Sequence, residues 1–436
     1  MTTENNNNSN NKLYETSEKV EKALAIAVVR KGADKDKVFD YLDELEELAD
    51  TAGAQVVEKI YQELAKPNSS TAIGSGKVEE IKQIIEESDI QIIIFDDDLT
   101  PAQLRNLEEE WKIKVIDRSG LILDIFAKHA RTLEAKTQVE LAQLQYLLPR
   151  LTRMWTHLSR QFGGIRTKGP GETQIETDRR LIKIKIAKLK EDLDNIENHK
   201  IQQKKNRTNI PKFALVGYTN AGKSTLMNVL SESNVYVENK LFATLDTTTR
   251  AFQLPNNQKA VISDTVGFIR KLPHHLVASF RSTLMEAADA DVIIHVADVS
   301  HKMYKDQIKI VNETLESLNI VDKPIILALN KIDKIKDKDY LHYLSNEYPD
   351  SILISAKKIH NITALLDLIQ KKYDSNIKKI NILLPYEKMD LISQLYDLSE
   401  IIEKKDLDAG IKMQVKINKG KDNIFINKFN NFIINE

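Results

Sequence analysis

The stretch "GYTNAGKST", residues 217 to 225, stands between an apolar, β-branched run, "KFALV", and a helix-like one, "TLMNVLSE". Few patterns of nine residues restrict a chain so much. Gly217, Gly222, Lys223 and Ser224 satisfy GxxxxGK[ST] in the strand, loop, helix setting that gives this pattern its meaning. The glycines let main-chain N–H groups close around phosphate oxygens, and the N-terminus of the following helix adds a favourable dipole. Along Gly217, Tyr218, Thr219, Asn220, Ala221, Gly222, Lys223, Ser224 and Thr225, Lys223 is set to reach the β- and γ-phosphates of a nucleotide. The Ser224 hydroxyl is a candidate ligand for Mg²⁺. The alternative is a chance glycine-rich turn, and the rest of the chain has to decide.

Further along, the partners such a loop needs arrive in order. "ISDTVG" puts Asp264 at the end of a strand, where a carboxylate can hold the magnesium shell, followed by Thr265 and by Gly267, whose N–H can meet a γ-phosphate. "NKID" follows "IILAL", so Asn330 can address guanine O6 and N7 while Asp333 accepts from N1–H and N2–H₂. Adenine offers no such pair of donors. Lys331 can lay its methylene stem over the base, and "ISAK" brings Ser355, Ala356 and Lys357, with main-chain N–H groups aimed at O6. Each tetrad alone is weak, but four at successive strand ends specify a guanine-nucleotide switch.

The periodicity divides the chain into five parts. Residues 1–20, "MTTENNNNSNNK" and its continuation, are polar and expected to be disordered. Residues 21–126 alternate strand-like runs ("LAIAVV", "QVVEKIY", "IQIIIF", "IKVID") with amphipathic helical ones, the order of a parallel-sheet α/β domain. Residues 127–205 read as a long antiparallel helical hairpin. Leu141, Leu144, Leu148, Leu151, Trp155, Leu158 and Phe162 step by three and four, as do Ile182, Ile186, Leu189, Leu193 and Ile196, and Pro149 is expected to kink the first helix. Residues 206–375 hold the nucleotide motifs on a parallel sheet flanked by helices, and residues 376–436 suggest a small α/β appendage with an amphipathic stretch near 388–402.

Sixty-three Lys and Arg against sixty-four Asp and Glu leave the whole chain neutral, so affinity for a polyanion has to be local. It is concentrated in the hairpin. From Arg150 to Lys190 there are eleven Lys or Arg and three Asp or Glu, and the glycine-rich tip between the helices carries Arg166, Lys168, Arg179 and Arg180. These four are candidates for nucleic-acid contact, against the alternative of a solvated hairpin with a flexible tip. The absence of cysteine excludes disulfides and thiolate metal sites. No apolar run is long enough to span a bilayer, and the expectation is a cytoplasmic monomer, with peripheral attachment to a membrane left open.

At this point the chain resembles a known family. "SRQFGGIRTKGPGETQIETDRR" before the phosphate loop, with "LFATLDTTTR" and "DTVGFIRKLPHHLVASFRSTLMEAADAD" after it, is similar to the HflX GTPases, translation-factor-related P-loop hydrolases of the Obg/HflX type. The resemblance spans roughly residues 20 to 420. It implies GTP and GDP as ligands, Mg²⁺ as cofactor, and association with the large ribosomal subunit through rRNA, with the N-terminal domain and hairpin facing the ribosome. It implies splitting or rescue of stalled ribosomes as the duty, with ribosome assembly as an alternative. It also identifies "FATL" as the switch that senses γ-phosphate, with Thr244 as a magnesium ligand. Thr248 and Thr249 compete for that role, and Thr247 stands where the family pattern has proline.

One position departs from a simple hydrolytic switch. The residue after Gly267, where a glutamine can orient the attacking water, is Phe268, which has neither donor nor acceptor in its side chain. The sequence suggests two substitutes: the ribosome itself, and a K⁺ ion recruited by Asn220, a residue that resembles the P-loop asparagine of K⁺-dependent GTPases and serves equally as a turn former. Lys223, Asn220, Thr244 and Gly267 are thus the catalytic candidates. His274 and His275 are expected to be bystanders. "IGSGKVEE" at 73–80 lacks the GK[ST] ending and fits a helix start capped by Ser75, while "DDD" at 96–98 fits a solvated turn better than a metal site. Two rival functions follow: an ATP-driven nucleic-acid remodeller, against which "NKID" argues, and a GTP-gated regulatory binding protein with little hydrolysis, which Phe268 keeps open.

Overall fold

The computed structural model describes residues 20–154, 170–205, 210–232, 241–242, 244, 248–271, 286–320, 323–418 and 422–434. They fall into two compact units, Met1–Arg118 and Ser119–Glu436. In the first, strands β1 (Glu21–Arg30), β2 (Ala54–Leu64), β3 (Ile92–Phe95) and β4 (Lys114–Asp117) form an all-parallel sheet in the order β2-β1-β3-β4. Helices α1 (Lys35–Ala52), α2 (Ser75–Ser88) and α3 (Pro101–Trp111) connect them. The expected parallel sheet is therefore present. Continuous apolar runs such as Leu24 to Ile26 and Ile92 to Phe95 are buried, as parallel strands covered on both faces require.

The helix ends follow local chemistry. Asp34 caps α1 by accepting from the Asp36 N–H, and Thr100 and Gln103 form a reciprocal capping box at α3 with Pro101 in its first turn. The start of α2 corrects the sequence reading. Gly74, not Ser75, occupies the cap position, without a side-chain bond, and its N–H donates instead to Gln62 Oε1 at 2.9 Å. The acidic run is also not a solvated turn throughout. Asp96 is buried and accepts from Arg118 Nη1 at 2.8 Å, while Arg118 Nη2 donates to Glu44. A strand end that reads as solvated on composition is thus closed by an ion pair with a residue more than twenty positions away.

In the second unit, helices α4 (Arg118–His129), α5 (Leu133–Met154) and α6 (Pro170–Lys205) come first, with α5 running through Pro149 and packing against α6. Glu140 and Lys185 pair across them. The apolar stripes of both helices are sheltered: Leu141 and Leu189 are buried, and Leu144, Leu148, Leu151, Ile182, Ile186, Leu193 and Ile196 are half-buried. Trp155, Leu158, Phe162, Arg166 and Lys168 lie outside the described residues. Arg179 and Arg180 lie on α6, both exposed.

The nucleotide motifs sit on a six-stranded sheet of β5 (Lys212–Gly217), β6 (Thr248–Gln253), β7 (Lys259–Asp264), β8 (Val292–Asp298), β9 (Ile325–Asn330) and β10 (Ser351–Leu353). Its order is β10-β9-β8-β5-β7-β6, parallel except for β6, which runs antiparallel to β7. That edge strand, "TTRAFQ", has no counterpart among the strands expected from the sequence. Phe213, Leu215, Val292, Ile294 and Val296 form the centre of the core beneath α7 (Lys223–Leu230).

The C-terminal residues make an antiparallel sheet of β11 (Ile377–Leu384), β12 (Glu400–Leu407), β13 (Gly410–Asn418) and β14 (Ile433–Ile434), ordered β12-β13-β11-β14. The stretch at 388–402 is not one amphipathic element. It divides into a 3₁₀ turn (Tyr386–Leu391), a short helix (Ile392–Leu398) and the start of β12, because β-branched Ile401 pairs with Val415.

The ion pair of the first unit supplies a stability prediction. Replacing Arg118 with Leu removes the guanidinium from the buried Asp96 carboxylate and should cost about 3–5 kcal/mol, the range for breaking one side of a buried pair. Urea unfolding followed in the full chain measures this, and a loss below about 1 kcal/mol would mean the pair behaves like an exposed one.

Candidate nucleotide site

Strand β5 delivers the chain into the loop at Gly217, and the loop returns as helix α7 at Lys223. Gly222, at φ 97°, occupies the left-handed region, and a Cβ there would run into the Asn330 side-chain amide. The Lys223 ammonium is folded under the loop, donating to the Gly217 carbonyl at 3.1 Å and the Tyr218 carbonyl at 2.9 Å. It is only 6% exposed. Burial, assisted by the nearby Lys331 charge, pushes its pKa down to about 8, and the Asp264 carboxylate opposes that shift. A charge this shielded interacts strongly with any phosphate that enters.

Asp264 ends β7 fully buried, and burial raises its pKa against the pull of Lys223. Its Oδ2 accepts from Ser224 Oγ at 2.6 Å, and Ser224 Oγ lies 2.9 Å from Thr244 Oγ1. Asp264 Oδ1 is buried with no hydrogen-bond partner. Two hydroxyls and a carboxylate with an orphaned oxygen form a hard, all-oxygen donor set of the kind Mg²⁺ takes. Of the three rival threonines the structure brings Thr244 to this point. Thr248 pairs with Asp264 only through the β6–β7 ladder, and Thr249 Oγ1 lies 2.8 Å from Ser263 Oγ. Thr265 does not join them, because its buried hydroxyl donates to the Leu215 carbonyl at 2.7 Å.

The residues after Asp264 are laced onto the loop. Phe268 N donates to the Gly217 carbonyl at 3.0 Å, and Thr219 N donates to the Phe268 carbonyl at 2.8 Å. The Tyr218 hydroxyl accepts from Arg270 N at 2.8 Å. Phe268 itself is 2% exposed, which supports its reading as a packing residue. Gly267 is held so close that a Cβ on it would lie 2.8 Å from Thr219 Cα and 3.1 Å from Lys223 Nζ.

The residues expected to recognise the base form a second web. Asn330 is buried; its Nδ2 donates to the Ala221 carbonyl at 2.9 Å and its Oδ1 accepts from Ala356 N at 3.0 Å, so one amide joins the phosphate loop to the "ISAK" loop. Ser355 Oγ donates to Asp333 Oδ1 at 2.5 Å, and Ser355 N donates to the His360 carbonyl. The N–H groups expected to face O6 at Ser355 and Ala356 are thus engaged within the protein, and Lys357 is the next residue in line. Lys331, at φ 67°, reaches across to the Asn220 carbonyl at 2.7 Å and to Asp298 Oδ2 at 2.8 Å. Asp298 has no motif to announce it; its only sequence signal is its place at the end of an apolar strand, where it lies level with Asn330. Asn220 adopts φ 58°, a turn-forming conformation. Thr225 is half-buried in the first turn of α7. His295, buried in β8, is driven down to about 4 by desolvation and stays neutral.

Three family models match the chain in succession. They are described as GTP-binding GTPase N-terminal (residues 40–127), GTP-binding GTPase Middle Region (129–207) and 50S ribosome-binding GTPase (212–331). The GTPase HflX of Flavobacterium psychrophilum is 45% identical over 88% of this chain and 97% of its own length. The chain belongs to the HflX GTPase family. The HflX of Escherichia coli is 40% identical over 88% of this chain and 91% of its own. A GTP-binding protein from Sulfolobus solfataricus, solved with GDP, is 30% identical and covers 81% of this chain and 99% of that one, at a TM-score of 0.43. Among the described residues no helix is long and apolar enough to cross a membrane.

The displaced pKa of Lys223 has a readable consequence. A polyphosphate stabilises the ammonium, so binding above about pH 8 must take up a proton. GDP affinity should therefore fall as pH rises from about 8 towards 10. Calorimetry in buffers of different ionisation enthalpy should show net proton uptake across that window, and affinity unchanged from pH 7 to pH 9.5 would contradict the assignment.

Proposed function

We propose that this chain binds GTP with Mg²⁺, hydrolyses it to GDP and phosphate, and does so on the large ribosomal subunit. The observation that carries the nucleotide chemistry is the meeting of Ser224, Thr244 and the orphaned Asp264 oxygen beside the buried Lys223. These three residues would hold the ion, which when bound supplies positive charge to the β- and γ-phosphate oxygens. Lys223 adds a second charge, the N–H groups of the loop and of Gly267 receive the oxygens, and the crowding around Gly267 excludes bulk water. Asp333, oriented by Ser355, accepts from the guanine ring, while Lys331 is held over the base position by Asp298.

The ribosomal partner is carried by the description of the matching model, 50S ribosome-binding GTPase, and by family membership. In this reading the basic hairpin grips rRNA through Arg179 and Arg180 on α6 and through Arg166 and Lys168 at its tip. The finer duty is splitting or rescuing stalled ribosomes, performed in the cytoplasm by a monomer. Because Phe268 presents no polar group, the intrinsic rate is low and the ribosome, with a K⁺ ion held near Asn220, completes the site.

Steady-state GTP hydrolysis with and without purified large subunits, in K⁺ and in Na⁺ buffers, tests this directly. The expectation is strong stimulation by the subunit and faster turnover in K⁺. Equal rates in the two buffers remove the K⁺ assignment. Binding to the subunit without stimulation would favour the second reading, a GTP-gated binding protein, to which the apolar, buried Phe268 lends support.

Base recognition is tested separately. Asp333→Asn exchanges an acceptor for a donor and should move preference from GTP to xanthosine triphosphate by at least about two orders of magnitude, as expected where a site's hydrogen-bonding groups no longer match those of the substrate. Retained GTP selectivity would remove Asp333 from the base site.

A further inference from the structure

The position that usually orients the attacking water is closed in this protein. Phe268 has an apolar side chain, it is 2% exposed, and its N–H and carbonyl are both tied to the phosphate loop. The residue facing Gly267 from the other side is Thr219. A Cβ on Gly267 would come within 2.8 Å of Thr219 Cγ2 and within 3.1 Å of Lys223 Nζ, so Thr219, Gly267 and the phosphate-reaching lysine crowd around one point.

Thr219 is 6% exposed, and its Oγ1 is buried with no hydrogen-bond partner. The hydroxyls of Ser224, Thr265 and Tyr218 are engaged within the protein, with Asp264, the Leu215 carbonyl and Arg270 N respectively. Buried hydroxyls are ordinarily paired, and one left over beside a reactive centre needs a partner from outside the protein. A threonine hydroxyl has one donor and two acceptor sites, so it can accept from a water and donate to a phosphate oxygen at the same time.

We propose that the Thr219 hydroxyl contacts the attacking water and the γ-phosphate, and supplies the positioning that Phe268 cannot. The water oxygen bonds to the γ-phosphorus as the bond to the β,γ-bridging oxygen breaks. The electron pair leaves on GDP, and the water's proton passes to a phosphate oxygen. Thr219 begins and ends as a neutral hydroxyl. This rests on the reading that the chain hydrolyses GTP.

The test compares Thr219→Val, which keeps the shape and removes the hydroxyl, with Thr219→Ser, which keeps the hydroxyl and removes the methyl. Single-turnover GTP hydrolysis and fluorescent-GDP affinity are measured on the full chain, with and without large ribosomal subunits. T219V should lose on the order of a hundredfold in rate, the size of effect of deleting one preorganised hydrogen-bonding group. Its GDP affinity should stay within about twofold, and T219S should stay within about threefold of the parent rate. A parental rate in T219V overturns the proposal. So does an equal loss in T219S, which would assign the effect to methyl packing on Gly267, or a loss of GDP affinity as large as the loss of rate. If the parent protein binds GDP yet shows no hydrolysis in either condition, the failure lies in the underlying GTPase reading, and the proposal falls with it.

Discussion

An ammonium group buried beneath a glycine loop is the constraint on which the nucleotide-binding unit depends. Lys223 is shielded from water and satisfied by two main-chain carbonyls within the field of Asp264. Removing a charge from water is costly unless fixed dipoles and an opposite charge replace the solvent. The loop meets that requirement only if its backbone turns tightly, which needs Gly222 in the left-handed region, and only if β7 ends where Asp264 can approach. The parallel order of β5 and β7 and the packing of α7 over the core are the scaffold that holds these groups at such range.

Around this centre two sets of contacts join the phosphate loop to the segments that carry the "NKID" and "ISAK" motifs. Asn330 spans the phosphate loop and the "ISAK" loop with one amide, and Lys331 spans Asn220 and Asp298. The two side chains thus tie the phosphate loop to the ends of β8 and β9 and to the segment that follows β10. On the opposite side the segment from Gly267 to Arg270 is attached to the same loop through main-chain bonds. That segment is therefore held in register with the phosphate loop by its own main chain.

The N-terminal unit illustrates a different economy of charge. Its sheet ends carry Asp96, Asp117 and Arg118, and all three are buried. Asp117 Oδ2 accepts from Leu99 N at 3.1 Å and Asp96 takes the Arg118 guanidinium. Charges that look solvated in a local reading are structural here, whereas Arg179 and Arg180 on α6 are exposed.

Much of this was written in the order of residues. The strand runs, the phosphate loop, Asp264, Asn330 and Asp333 were legible because each depends on local periodicity or on a short motif whose spacing is set by backbone geometry. The burial of Asp96, the cap at Gly74 and the positions of Asp298 and Thr219 were not, because each is decided by a partner elsewhere along the chain. Thr244 stood level with Thr248 and Thr249 until the fold placed Ser224 beside it. By itself the sequence determined which groups are present: the GxxxxGK[ST] pattern, the "NKID" and "ISAK" motifs and a run of basic residues. The tertiary structure alone decided which of those groups are already satisfied by protein and which are left for a ligand, since hydrogen-bond satisfaction is a property of three-dimensional neighbours and carries no one-dimensional signature.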